Sequence, residues 1–327
     1  MAHNYLYNSL AASTRQTYSA GFGSYKLFAA TFGIPANKIL PATTSSIALW
    51  ISWLAGMKQL SLKSIKTYLA GLASTSLELG YRDTIRDNAL IYQLLRGIKR
   101  TTGVKERQTR LPITASIIRA MIGRIPRQLQ CFDDKLVFAA ATAGTFGLLR
   151  AGEFVETDRN QASLLTLSQL ALFNSQSMPI NVHRASAAQL AQACYYVIHL
   201  DQSKADPFRF GADVVIGNTV AVQAMIDYLI IHPARAVATA TLFCKRDGSN
   251  LTRPQLITRI RNHLVQSSIK DAHLYHGHSF RKGGAQTLKE LGVDEQTIQL
   301  LGRWSSSASL LYSTTPISMK LATNQRM

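Results

Sequence analysis

The chain has 327 residues, with 36 Lys and Arg against 18 Asp and Glu, a formal net charge of +18. Hydrophobic residues make up 46%, enough for one or two cores, which excludes a disordered basic tail. So large a cationic excess directs attention to a polyanionic partner, nucleic acid first.

The excess is shared along the chain, and residues 1–110 are its denser part, with 14 bases against 4 acids. Cys131, Cys194 and Cys244 are odd in number and far apart, with no C-x-x-C pair. That speaks against a disulfide framework or structural zinc and fits a reducing compartment. All three sit in apolar neighbourhoods and are expected to be small core residues. The opening MAHNYLYNSLAAS lacks a signal-peptide pattern. The most apolar stretch, Leu136 to Leu149, is too short to cross a bilayer. The expectation is a soluble intracellular protein without membrane association, nuclear in a eukaryote and cytoplasmic or nucleoid-bound in a prokaryote.

From the N-terminus, Ser13 and Thr14 are expected to cap a helix running to about Phe32, with Tyr18, Phe22, Tyr25, Leu27 and Phe28 apolar. Gly33, Ile34 and Pro35 end it. Ser45–Met57 carries Ile47, Leu49, Trp50, Ile51, Trp53 and Leu54 at helical spacing. Ser61–Leu79 puts Ile65, Tyr68, Leu69 and Leu72 on one stripe, with Lys58, Lys63 and Lys66 outside. A fourth helix is expected over Asp87–Arg100, completing a compact all-helical domain over residues 1–100. The basic stretch KRTTGVKERQTR, Lys99–Arg110, marks a linker between the two parts, with bounds 101–111.

The remainder, 112–327, begins with expected helices at Ile113–Ile125 and Lys135–Leu149. Leu164–Phe173, Tyr195–Leu200 and Asp213–Ile216 read as short strands, with Asn174–Ala193 as an insertion and Asp201–Gly211 as a turn or hairpin. Helices are then expected at Thr219–Ile231, Arg253–Ser268, His278–Leu291, Asp294–Leu301 and Ser306–Tyr312. The fold class is mostly α with a small antiparallel β-sheet: a helical domain followed by an α+β domain.

The candidate chemistry is in this second part. His278 and Arg281 in GHSFRKGG are three apart, so on a helix they share a face and can meet one anion. Arg150 and Glu153 in LLRAGEF have the same spacing, so the acid can orient the guanidinium. Trp304 and Tyr312 follow in LGRWSSSASLLY. The histidines of HLYHGH (His273, His276, His278) have no nearby acid or Cys in ligand spacing, so neither metal nor cofactor is expected.

In that order, Arg150-x-x-Glu153, Lys204, His278-x-x-Arg281, Trp304 and Tyr312 resemble the active site of the tyrosine recombinases, the group of the phage integrases, Xer and Cre. GHSFRKGGAQTLKELGV and LGRWSSSASLLY resemble the members carried by mobile elements of the DIRS and Crypton type. The helical N-terminal part is similar to that family's core-binding domain, and 112–327 to its catalytic domain. The resemblance implies metal-free transesterification of DNA through a 3′-phosphotyrosyl intermediate, by a tetramer on two sites of double-stranded DNA. It makes Tyr312 the nucleophile, and Arg150 and Arg281 the clamp on the scissile phosphate, with Glu153 fixing Arg150. His278 would be the proton acceptor, Lys204 the general acid, and Trp304 an N–H donor. Lys245 in FCKRDGS competes with Lys204, and Trp304 precedes Tyr312 by eight residues where many relatives have nine. Lys58, Lys63, Lys66, Lys99, Arg100, Lys105, Arg107 and Arg110 are the candidate contacts to DNA phosphates. A type IB topoisomerase and a non-cleaving DNA-binding relic are the alternatives.

Overall fold

The computed structural model describes residues 5, 8–102, 110–157, 164–201, 210–304, 321, 324, 325 and 327. The chain divides into two compact units, Met1–Arg107 and Gln108–Met327.

In the first unit, helices α1 (Ala12–Thr31), α2 (Thr44–Gly56), α3 (Leu62–Glu78) and α4 (Ala89–Thr102) surround one core. Their apolar stripes meet at Tyr25, Phe28, Ile47, Trp50, Ile51, Leu54, Ile65, Leu69 and Leu72, all buried. Leu27 and Leu49 face outward, against the expectation that they belong to the stripe. Side-chain oxygens of Thr43 and Ser61 accept from the amides of Ser46 and Ser64, starting α2 and α3. The expected caps of α1, Ser13 and Thr14, lie inside the helix, whose N-cap is Ala11 without a side-chain bond. Glycines bring α1 and α3 together. A Cβ on Gly21 would stand 2.8 Å from the Tyr68 carbonyl oxygen, and one on Gly71 2.5 Å from that of Tyr18. Any larger residue would part the helices.

The second unit is built round α6 (Phe132–Phe146), preceded by α5 (Ala115–Gly123). Every residue of α6 from Leu136 to Phe146 is buried, so its apolar run is that of a helix covered on all sides. It starts three residues earlier than expected because Asp134 accepts from the Cys131 amide at 3.0 Å, with Asp133 also in the positive first turn.

After the short α7 (Ala151–Phe154) comes an antiparallel sheet of order β2-β1-β3-β4, from β1 (Leu170–Phe173), β2 (Pro179–Ile180), β3 (Tyr195–Leu200) and β4 (Ala212–Ile216). The register pairs Leu172 with Ile180, Leu170 with Ile198 and Tyr196 with Ile216. The strand expected from Leu164 begins only at Leu170. Gln169 accepts from the Thr166 amide and folds 167–169 into a single 3-10 turn. The supposed insertion 174–193 supplies the edge strand β2 and α8 (Ala187–Leu190), whose Leu190 is fully buried.

Helices α9 (Thr219–Ile231), α10 (Arg253–Gln266), α11 (Ser279–Glu290) and α12 (Glu295–Gly302) complete the unit. Near the C-terminus, Asn324 accepts from the amides of Gly217 (2.7 Å) and Asn218 (2.8 Å) and donates to the Phe146 carbonyl (2.7 Å). Of the cysteines only Cys244 is core; Cys131 caps α6 and Cys194 precedes β3, and both are exposed. Among the described residues no helix is long and apolar enough to cross a membrane. The helix expected at 306–312 and most of the 201–211 turn lie outside the described residues.

Candidate active site

The site forms where the C-terminal end of α6 meets α7, α11 and the end of α12. After Phe146 the chain turns through Gly147 and Leu148, the latter at φ 49°, and delivers Arg150 to the N-cap of α7. Arg150 and Glu153 then close on each other. Glu153 Oε1 accepts from Arg150 Nη1 at 2.8 Å, and Oε2 accepts from the Arg150 amide at 2.8 Å. The expected orientation of the guanidinium by the acid one turn on is thus present.

Helix α11 carries the second pair, with His278 at its N-cap and the buried Arg281 one turn in. The two glycines that follow set its distance from the core. A Cβ on Gly283 would stand 1.8 Å from the Ile113 carbonyl oxygen, and one on Gly284 2.1 Å from that of Thr145 in α6. The -R-K-G-G- sequence is therefore a packing requirement that brings Arg281 against the end of α6. There Arg281 Nη1 donates to the Leu148 carbonyl at 2.7 Å, and Nη2 donates to that of Gly302 at the end of α12. A cation at two helix C-termini is favourably placed. The fork has five N–H donors and these bonds use two, so donors remain for a ligand.

Helix α12 ends with Arg303 at φ 56°, the left-handed position after a helix where glycine is usual. Trp304 follows, its ring 4.8 Å from the Arg281 guanidinium. Arg303 turns inward. Its Nη2 donates to Glu153 Oε2 at 3.1 Å and to the Leu148 carbonyl at 3.2 Å, and Nη1 to the Gly147 carbonyl at 3.3 Å. Sequence reasoning passed over Arg303. The signal was available: a long cation directly after Gly302, beside a residue already singled out.

Two guanidiniums, those of Arg150 and Arg303, thus share one carboxylate, which is 8% exposed, and a third, that of Arg281, feels its charge without bonding it. Burial, then Arg150 and Arg303, push the Arg281 guanidinium down to about 9, against the pull of Glu153. It stays charged at neutral pH, in a setting that an anion would favour. Burial also lowers Arg303. Burial first, and then Arg110, Arg253, Arg281 and Arg150, lower His278 below its ordinary 6.5, so at neutral pH its imidazole is free to accept a proton.

Arg253 reaches this neighbourhood because residue 277 is glycine: a Cβ there would lie 2.9 Å from Arg253 Nε. The HLYHGH loop does not gather a ligand set. Arg261 donates to the carbonyls of His273 and Tyr275 and lies 3.2 Å from His276 Nδ1, which is no setting for a second cation. Among the described residues no group of three or more His, Cys, Asp or Glu is placed to hold a metal ion.

The structure therefore brings together Arg150, Glu153, His278, Arg281 and Trp304. Lys204, Tyr312, Lys105 and Arg107 lie outside the described residues. The competitor Lys245 sits in a turn, 4.0 Å from Asp247. Of the candidate DNA contacts, Lys63 and Lys66 line an open cleft of about 440 Å³ with Tyr18 and Thr67 on the first unit. Lys58 stacks on Trp53 at 4.9 Å, and Lys99 and Arg100 close α4. In the second unit the Arg110 carbonyl accepts from Lys282 Nζ at 2.8 Å.

The mostly helical architecture with its four-stranded antiparallel sheet is the tyrosine-recombinase fold. Among solved structures the chain is similar to the XerH site-specific recombinase bound to palindromic difH substrate in a post-cleavage complex (TM-score 0.59, 14% identity, 92% of this chain and 76% of that one). It is likewise similar to XerH bound to difH in a pre-cleavage complex (TM-score 0.55, 16% identity, with the same coverage). No protein-family model and no curated protein sequence matches the chain.

Proposed function

We propose that the protein is a site-specific DNA recombinase that cuts and rejoins strands by transesterification. The observation that carries this reading is the cluster of Arg150, the buried Arg281 and the largely buried Arg303 round one carboxylate, that of Glu153, among the described residues. Such a cluster is short of negative charge, and a phosphodiester, whose charge grows on its non-bridging oxygens during reaction, supplies it.

Arg150 and Arg281 hold those oxygens. The Tyr312 oxygen attacks phosphorus while His278 accepts its proton. The bond to the 5′-oxygen breaks, and Lys204 protonates the leaving oxygen. The 3′-phosphotyrosyl link keeps the bond energy for the reverse attack by a new 5′-hydroxyl. Trp304 stacks on Arg281 and offers its indole N–H to the phosphate. The first unit, with Lys58, Lys63, Lys66, Lys99 and Arg100, and the basic segment with Lys105, Arg107 and Arg110, hold the duplex by its backbone. The assembly is a tetramer on two sites, and the phrases round Arg281 and Trp304 favour a mobile-element origin, with action in the nucleus if the host is a eukaryote and in the cytoplasm or nucleoid if it is a prokaryote.

The test begins with duplexes that the protein itself enriches from a random pool. These are nicked beside each candidate cleavage position, so that a covalent complex is trapped. A covalent band that vanishes with Tyr312→Phe supports the mechanism, and a band that persists refutes this nucleophile. Relaxation of any supercoiled plasmid without site preference would favour the topoisomerase reading, and binding without covalent product the relic.

A further inference from the structure

We infer that Arg303 is a positioning residue for the same reaction: it clamps Glu153 to the end of α6 and thereby fixes Arg150 on the scissile phosphate. The inference rests on the recombinase reading and adds a residue with no role in it so far.

The two oxygens of Glu153 are divided between two arginines. Oε1 takes Arg150 Nη1, while Oε2 takes the Arg150 amide and Arg303 Nη2. Without Arg303, the carboxylate would be held, among the described residues, by the residue it is meant to orient, within one turn of α7. Arg303 ties it instead to the carbonyls of Gly147 and Leu148. Those carbonyls cannot drift, because they follow the buried C-terminal stretch of α6 and because Arg281 binds the same Leu148 oxygen. Arg150 and Arg281 therefore take their positions from a common support, and Arg303 links them through it.

Two further observations point the same way. The Arg303 side chain is 13% exposed, and its Nε is buried with no hydrogen-bond partner among the described residues, so this guanidinium has been drawn into the protein at the expense of its own hydration. It also occupies a backbone position with φ 56°, where glycine is at ease and a long side chain is not. An arginine kept under both penalties is explained by what its fork holds. Its chain position matters too: the next residue is Trp304, stacked on Arg281. One residue thus fixes the end of α12 to both halves of the clamp.

The experiment is a double-mutant cycle on covalent-complex formation, with the nicked duplexes described above at saturating protein. Arg303→Gly suits the backbone and removes the fork. It should slow cleavage within the bound complex on the order of 100-fold, the consequence of a clamp misplaced by about 1 Å. Duplex affinity should change little. Guanidinium ion added to Arg303→Gly should restore part of the rate, and Arg303→Lys, which keeps the charge without the fork, should fall between. In a Glu153→Gln background, Arg303→Gly and Arg303→Lys should each cost at most about 2-fold more, because the two residues act as one unit. Equal losses in both backgrounds would overturn the inference while leaving the recombinase reading intact. So would a loss confined to DNA affinity. If the unaltered protein forms no covalent complex on any enriched duplex, the recombinase reading falls first and takes this role with it.

Discussion

Replacing Gly284 by alanine should push α11 off the core and carry the active-site pair with it. The new Cβ would stand 2.1 Å from the Thr145 carbonyl oxygen and 2.6 Å from Leu148 Cδ2, where ordinary contact begins near 3.4 Å. The shortfall against the carbonyl is thus about 1.3 Å. Thr145 belongs to a helix buried on all sides, so α11 must do most of the moving. Overpacking of this kind costs about 1–3 kcal/mol or more, and alanine's better helix propensity returns about 1. With the clash here at the severe end of that range, a net loss of about 2 kcal/mol follows, which lowers a urea midpoint by about 1 M at the usual slope. The matched control is Gly97→Ala in the exposed interior of α4, where a Cβ meets nothing within 4 Å. There only the propensity counts, and the first unit should gain up to about 1 kcal/mol. Urea melts that resolve the two units give opposite signs if the packing argument is right. Because α11 also bears His278 and Arg281, cleavage by Gly284→Ala should fall on the order of 100-fold even where the protein is fully folded. A Gly284→Ala protein as stable and as active as the unaltered one would refute the argument.

Arg281→Ala should abolish covalent-complex formation while leaving most duplex binding. One lost phosphate contact lowers the slope of log affinity against log salt by only about 0.9. Loss of all affinity in filter-binding or anisotropy titrations would show that Arg281 belongs to the scaffold. For stability against pH, His232, His263, His276 and His278 are all lowered in the fold, burial being the leading cause in each. As pH drops through 6.5 the unfolded chain takes up protons that the fold refuses, so stability is full above that value and declines below it. Urea midpoints should be lower at pH 5.5 than at 7.5, and an unchanged or higher midpoint at 5.5 would contradict the assignment. The acid limb of the cleavage rate should fall below 6.5, since His278 keeps its lone pair to lower pH than a free imidazole.

Local patterns were legible wherever short-range chemistry decides. The helix stripes of the first unit, the Arg150–Glu153 pair and the shared face of His278 and Arg281 follow from spacings of three and four. What spacing does not carry is contact between distant segments. That Gly283 and Gly284 set a helix-to-helix distance depends on Ile113 and Thr145, far away in the chain. The contacts of Arg303 are of the same kind, as its partners lie 150 or more residues earlier. The expected strand 164–173 was too long because apolar periodicity cannot see that Gln169 folds back on Thr166. The outward Leu27 and Leu49 show the converse, apolar residues without an opposite partner.

The Asn324 clasp has a consequence for where Tyr312 can act. By donating to Phe146 and accepting from Gly217 and Asn218, it moors the chain to the unit that holds the arginines. Trp304 moors it on the other side, on Arg281 itself. Tyr312 is eight residues from Trp304 and nine from Leu321, whose side chain touches the Gly217 position. At roughly 3.4 Å per residue, no stretch of that length extends past about 30 Å. The candidate nucleophile therefore stays, by covalent connection alone, within that distance of both Trp304 and Leu321.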